Sequence, residues 1–185
     1  MTDLLETFVE EAEAVLAQDL GDDETARRIA DLAQPLATDT SWLGDEHRAS
    51  EPEQGFGITQ LYKAPQPGLS VQTVCWAPGR GVAPHDHQTW GVVVGLEGDE
   101  INVDWKRTDD GSTPGHAELE TAVETTVRNG DTCRFLPDDI HSVRNEGDIV
   151  SVSLHIYGQS LAETERSEFD PVNSIQRPCP QRVRR

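Results

Sequence analysis

The rhythm of hydrophobic and polar positions changes once along the chain. From Asp3 to Gln18, residues Leu4, Leu5, Phe8, Val9, Ala12, Val15 and Leu16 fall on one stripe at helical spacing, which predicts an amphipathic helix. A second helix is predicted from Asp22, where acidic residues suit a first turn, through Ala26, Ile29, Ala30, Leu32 and Ala33 to a stop at Pro35. Two short helices with an apolar face need something to pack on. After the acidic stretch 44–54 the pattern becomes short apolar runs punctuated by Gly, Pro, Asn and Asp. It predicts strands at 56–62, 69–77, 90–96, 100–107, 119–127, 132–136, 141–145 and 149–157. Strands at this spacing imply a mainly β protein, a barrel or jelly roll, with a short N-terminal helical segment. The expected layout is a helical segment 1–50 packing on the barrel, the barrel itself at 51–165, and a tail at 166–185. That tail is rich in proline and poor in apolar residues, and is expected to be loosely ordered or draped over the surface.

Composition narrows the partners. At 185 residues the chain holds one domain with a real core. A formal charge of −19, with only two lysines, Lys63 and Lys106, would repel nucleic acid and anionic membranes. No apolar run approaches the roughly 20 residues of a membrane span, and the N-terminus is acidic where a signal peptide is basic. A cytoplasmic protein is expected. Cys75, Cys133 and Cys179 are an odd number without a CxxC pair, which predicts buried free thiols in place of disulfides or a cysteine zinc site.

The chemistry concentrates in histidine. The stretch 84–91, PHDHQTWG, carries His85 and His87 one residue apart, so in an extended segment both point to one face and Asp86 points away. His141 follows the acidic turn in LPDDIHSVRN as His85 follows the turn APGRGVAP, and two such arrivals imply one pocket. Converging imidazoles repel when protonated, and a metal ion is the commonest reason to aim them at one point. His47 and His116, both in polar loops, are expected to be surface or satisfied core residues. On the strand 151–158, alternation puts Ser153, His155 and Tyr157 on one face and Val152, Leu154 and Ile156 on the other. Buried hydroxyls and imidazoles are costly unless hydrogen-bonded, so the polar face calls for a role.

Gly79, His85, His87 and Gly98 resemble the first motif of the cupin superfamily, and Gly130, Pro137, His141 and Asn145 resemble the second, with the proline displaced by one and Asp139 where glycine is usual. The resemblance implies a double-stranded β-helix that holds metal through His85, His87 and His141. Many cupins add a glutamate ligand a few residues after HxH; here Val92 stands there, and Glu97 is too far along, at a turn with Gly98. A three-histidine cupin is similar to the thiol dioxygenases, the family of cysteine dioxygenase and 3-mercaptopropionate dioxygenase. The family's Ser-x-His-x-Tyr relay is matched by Ser153, His155 and Tyr157. The resemblance implies iron(II) and a small thiol oxidised by O2 to its sulfinate, with open metal positions for both reactants. Animal-type members crosslink the tyrosine to a cysteine shortly after HxH; none occurs here, so Tyr157 is expected to be an unmodified phenol.

Arg166, nine residues after Tyr157, resembles the carboxylate-binding arginine of 3-mercaptopropionate dioxygenases. Cysteine dioxygenases place an arginine on an early strand, where this chain offers Gln60, Tyr62 and Lys63, and no acidic residue is expected near the metal to receive an ammonium. The expected substrate is therefore of the 3-mercaptopropionate type ahead of cysteine. Trp90 is expected to fill the barrel. The alternative is a non-catalytic cupin that binds a metal or small ligand, and an oxygenase or isomerase acting on carbon would call for the missing carboxylate ligand.

Overall fold

The computed structural model describes residues 3–65 and 67–183, so Met1, Thr2, Gln66, Arg184 and Arg185, which belong to the expected segments, lie outside the described residues. Two helices, α1 (Asp3–Leu16) and α2 (Asp22–Thr38), precede eleven strands: β1 (Phe56–Lys63), β2 (Ser70–Trp76), β3 (Gly81–His85), β4 (Gly91–Glu97), β5 (Glu100–Arg107), β6 (Leu119–Val127), β7 (Thr132–Phe135), β8 (Ile140–Arg144), β9 (Ser151–Tyr157), β10 (Ser167–Asp170) and β11 (Ile175–Pro178). One sheet runs β1-β2-β9-β4-β7 and the other β11-β10-β3-β8-β5-β6. All strand pairs are antiparallel, giving a jelly-roll barrel of the cupin kind with N-terminal helices.

The helices cover the outer face of the five-stranded sheet. Phe8 and Ala12 of α1 and Ile29, Ala33 and Leu36 of α2 share one core with Val92 and Val94 of β4 and Leu154 and Ile156 of β9. α2 does not stop at Pro35 but runs to Thr38. An interior proline costs about 3 kcal/mol. Full burial of Leu36 recovers about 1.5–3 kcal/mol, and Ala37 is buried beside it, so packing carries the last turn. No helix among the described residues is long and apolar enough to cross a membrane.

Three strands depart from the expected pattern. Residues 81–85, which look like a turn because of Gly81 and Pro84, form β3; the register shifts between Val82 and His85, and that irregularity accommodates the proline. The tail is corrected more fully: β10 and β11 pair as a hairpin, and β10 joins β3 with Glu168 opposite His85. Residues 167–178 thus extend a sheet beside the histidines. Between β4 and β5 the chain turns at Gly98, where φ is +65° and an added Cβ would lie 3.0 Å from Ser151 Cα and Val150 O, so glycine is needed on both counts.

Candidate metal centre

The three histidines reach one point by different routes. β3 and β8 pair with His85 directly opposite His141. His87 sits just past β3, on a bend where Gln88 adopts φ +56° and its backbone N–H donates to Pro137 O at 3.0 Å, tying together the two segments that carry the histidines. The ring centroids form a nearly even triangle, 5.0, 4.7 and 4.8 Å on a side, and one ligand atom from each ring lies within 4.8 Å of the others.

Hydrogen bonds decide which nitrogens face inward. His85 Nδ1–H donates to Ala83 O at 3.0 Å and His141 Nδ1–H to Asn102 Oδ1 at 3.0 Å, leaving Nε2 of each ring with a lone pair. His87 Nε2 lies 3.3 Å from His141 Nε2. Lone pairs facing at that distance repel unless a proton or a cation lies between them, and a metal held by all three rings meets that condition. The His87 ring is held by packing on Tyr157 and Phe135, centroids at 5.0 and 5.6 Å, since its buried Nδ1 has no hydrogen-bond partner among the described residues. Burial pushes His85 down to about 4, and burial with neighbouring rings carries His87 and His141 well below their ordinary range. Neutral imidazoles are the metal-binding form. The triad could therefore hold a divalent transition metal.

Among the described residues no carboxylate joins this set. Val92 is fully buried in the core beneath the helices, and Glu97 is engaged by Arg48 at 2.6 and 2.8 Å. Acidic residues do come closer than the sequence suggests. Glu168, opposite His85, accepts from Arg177 at 2.6 Å and Arg182 at 2.7 Å, so both its oxygens are taken.

β9 lies buried along its whole length, so its polar face turns inward and away from solvent. Ser153 Oγ and His155 Nε2 are 2.9 Å apart, and His155 Nδ1 and the Tyr157 hydroxyl 2.8 Å. Burial lowers His155 to about 3. Across the sheet Tyr157 faces Gly91, and a Cβ there would lie 3.0 Å from its ring; glycine makes room for the phenol where a side chain would press on it. No disulfide joins the described cysteines; Cys75 is buried and Cys133 and Cys179 partly so.

His85, His141, His155, Tyr157 and Arg166 line one cavity, walled by apolar side chains including Phe56, Ile58, Trp76 and Leu161. Its volume of about 50 Å³ is several times the roughly 10–15 Å³ one water needs, which suits a molecule of a few heavy atoms. Arg166 sits before β10, and the adjoining backbone is fixed to the HxH segment: Ser167 N–H donates to Asp86 Oδ1 at 2.8 Å and Asp86 N–H to Ser167 O at 3.1 Å. Among the described residues no hydrogen bond or ion pair occupies its guanidinium, and its charge helps lower His85 and His87.

Other side chains differ from expectation or were not foreseen. Gln60, Tyr62 and Lys63 stay out of the cavity: Gln60 donates to Tyr62 O and Val71 O, Tyr62 donates to Glu13, and Lys63 pairs with Glu163. Trp90 is core. His47 is buried with Nδ1 2.9 Å from Thr73 Oγ1. Arg182, from beyond β11, lines the cavity and stacks over Phe56 at 5.7 Å. Beneath the triad, buried Asn102 links His141 to Glu100, its Nδ2 donating to Glu100 Oε1 at 2.9 Å. Glu100 and Asn102 stand two apart on β5, and that polar spacing was the available signal.

No protein-family model matches the chain. Among solved structures it is similar to an oxalate oxidase in complex with glycolate (21% identity over 60% of this chain and 53% of that one, TM-score 0.45). It is also similar to the DMSP lyase DddQ from Ruegeria pomeroyi (16%, 64% and 53%, TM-score 0.47). A third likeness is to a Cupin_2 domain of an XRE family transcriptional regulator from Enterobacter cloacae (17%, 58% and 99%, TM-score 0.41). The chain spans about half the length of the oxidase and the lyase it matches. Substrate and activity do not pass across such distances, and the fold assignment stands on the strand pairing itself.

Proposed function

We propose that the protein is an iron(II)-dependent thiol dioxygenase acting on a small mercapto-acid of the 3-mercaptopropionate type, with cysteine second. The observation that carries this reading is the joint presence, around one small cavity, of three neutral histidines without a carboxylate and a hydrogen-bonded Ser153, His155, Tyr157 line. His85, His87 and His141 would hold the metal. Iron(II), when bound, supplies positions for sulfur and O2 and the electrons that activate oxygen.

The chain's own residues supply the rest. The apolar wall leaves few places for water, which strengthens every charge interaction inside. Arg166, which lines the cavity and whose guanidinium has no partner among the described residues, suits bidentate pairing with a substrate carboxylate. Glu168 is too fully engaged to receive a substrate ammonium, which favours a mercapto-acid without an amine over cysteine. The Tyr157 hydroxyl, hydrogen-bonded to His155 and lining the cavity, would exchange a proton with a group bound there. The test is oxygen uptake by iron-loaded protein with a panel of thiols. Uptake with 3-mercaptopropionate exceeding that with cysteine supports the reading; tight thiol binding with no uptake would instead favour a non-catalytic metal- or ligand-binding cupin.

A further inference from the structure

One buried carboxylate has no part in holding metal or substrate. Glu100 is 2% exposed and no cation pairs with it among the described residues. Its oxygens accept three hydrogen bonds: from Trp76 Nε1–H at 3.1 Å and Ser153 Oγ–H at 2.7 Å on Oε2, and from Asn102 Nδ2 at 2.9 Å on Oε1. Indole N–H can only donate. Asn102 must also donate here, because its Oδ1 takes the Nδ1–H of His141. Trp76 and Asn102 can only donate, and Ser153 can donate as well, so the three contacts suit Glu100 at rest as an ionised acceptor, the state taken here.

That choice orients everything above it. Ser153 gives its proton to Glu100 and so accepts from His155 Nε2–H, and His155 Nδ1 then offers only a lone pair to the Tyr157 hydroxyl. The donors point in one direction, from the cavity down to Glu100.

We propose that Glu100 terminates a proton wire running from Tyr157 through His155 and Ser153, and that its carboxyl stores the proton a thiol loses on entering the cavity. The proposal rests on the thiol reading of the site. The thiol S–H bond breaks and a new O–H bond forms at Tyr157. The phenol's own proton moves to His155 Nδ1, the Nε2 proton to Ser153, and the Ser153 proton to Glu100. Negative charge passes from Glu100 to sulfur, with no oxidant or reductant needed. When the sulfinate anion leaves, the proton returns along the same line to water, which balances the conversion of thiol and O2 to sulfinate and one proton.

The surroundings suit storage. His155, held at about 3 by burial, relays by exchanging one N–H for the other and never becomes a cation. Burial raises the Glu100 carboxyl against the pull of its three donors, which makes it a willing acceptor. The elements packed on it bring Trp76 from β2, Asn102 from β5 and Ser153 from β9. Cys133 of β7 lies in Glu100's field, and burial keeps that thiol neutral by pushing it up to about 12; His155, of the line itself, is the titratable ring one hydrogen bond further on.

The experiment counts protons. The full chain is loaded with zinc, which accepts the same ligands and does no redox chemistry. It is mixed without oxygen with 3-mercaptopropionate in weakly buffered solution at about pH 6.5, where the free thiol is protonated. Binding is followed by calorimetry and proton release by an indicator dye. Wild type should release close to none per thiol bound, and His155 should switch from Nε2–H to Nδ1–H in its ¹⁵N spectrum. Glu100→Gln, which has no site for the proton, and Ser153→Ala, which breaks the line, should each release about one proton per thiol bound. Thiol binding with equal release in wild type and both variants overturns the wire and leaves the thiol reading standing. No thiol binding to wild type overturns both.

Discussion

Asn102 offers a test of the metal centre that needs no assumption about substrate. Its amide spans two groups, accepting from His141 Nδ1 at 3.0 Å and donating to Glu100 at 2.9 Å, with 1% of its surface exposed. Asn102→Ala leaves a buried imidazole N–H and one carboxylate oxygen unpaired. At about 1–3 kcal/mol for each of the two unsatisfied groups, the variant should lose roughly 2–6 kcal/mol of stability, part of which water entering the vacated space recovers. The His141 ring also loses the bond that fixes its tautomer and direction. Removing such a support typically costs 10- to 100-fold in metal affinity, or about 1.4–2.7 kcal/mol. Urea denaturation of the metal-free protein gives the first quantity, and competition with a chelator gives the second. Val94→Ala is the control, since it opens the outer core beneath the helices and lowers stability with no path to the histidines. Unchanged metal affinity in Asn102→Ala, or an equal loss in Val94→Ala, would refute the reasoning.

Further expectations concern the cavity and acid stability. Tyr157→Phe should lower turnover by about 10²–10⁴-fold with metal content unchanged, as for a lost positioned proton donor; wild-type turnover would remove the hydroxyl from the chemistry, and a thioether at Tyr157 by mass spectrometry would contradict the unmodified phenol. Arg166→Ala should raise KM for 3-mercaptopropionate roughly 10- to 100-fold, the worth of a charged hydrogen bond, and leave a thiol without a carboxylate nearly unaffected; equal losses on both would make Arg166 structural. The metal-free protein should weaken on acidification, because burial holds His155 at about 3 and lowers His47 from 6.5. Below pH 6.5 the unfolded chain binds protons that these folded rings refuse, so stability falls with pH by about 1.4 kcal/mol per unit for each ring, down to its folded pKa. Urea midpoints that stay level between pH 7 and 5 would contradict this.

The sequence exposes those parts of the site whose residue types are unusual for their place. Histidines one apart between strands, and a third after a turn, stand out against any background, and the structure brings His85, His87 and His141 together. Alternation along β9 separates Ser153, His155 and Tyr157 from their apolar neighbours, although only burial of both faces shows that the polar side turns inward. The same logic hides Glu100 and Asn102. They alternate with Ile101 and Val103 as in any strand with a wet face, and one buried acid is invisible in a chain of such acidic composition. Period alone gives the two faces of a strand and not which of them meets water. Arg182 was illegible for another reason: its place depends on the β10–β11 hairpin joining β3, a long-range pairing made by a segment with the composition of a loose tail.

Isotope labelling of the product tests the central proposal most directly. Iron-loaded protein turning over 3-mercaptopropionate under ¹⁸O2 should give a sulfinate with both oxygens labelled, one O2 consumed per sulfinate formed, and His141→Ala, which removes a ligand from the triad, should abolish the reaction. Oxygen consumed with release of hydrogen peroxide and no labelled sulfinate, or full activity in His141→Ala, would contradict it.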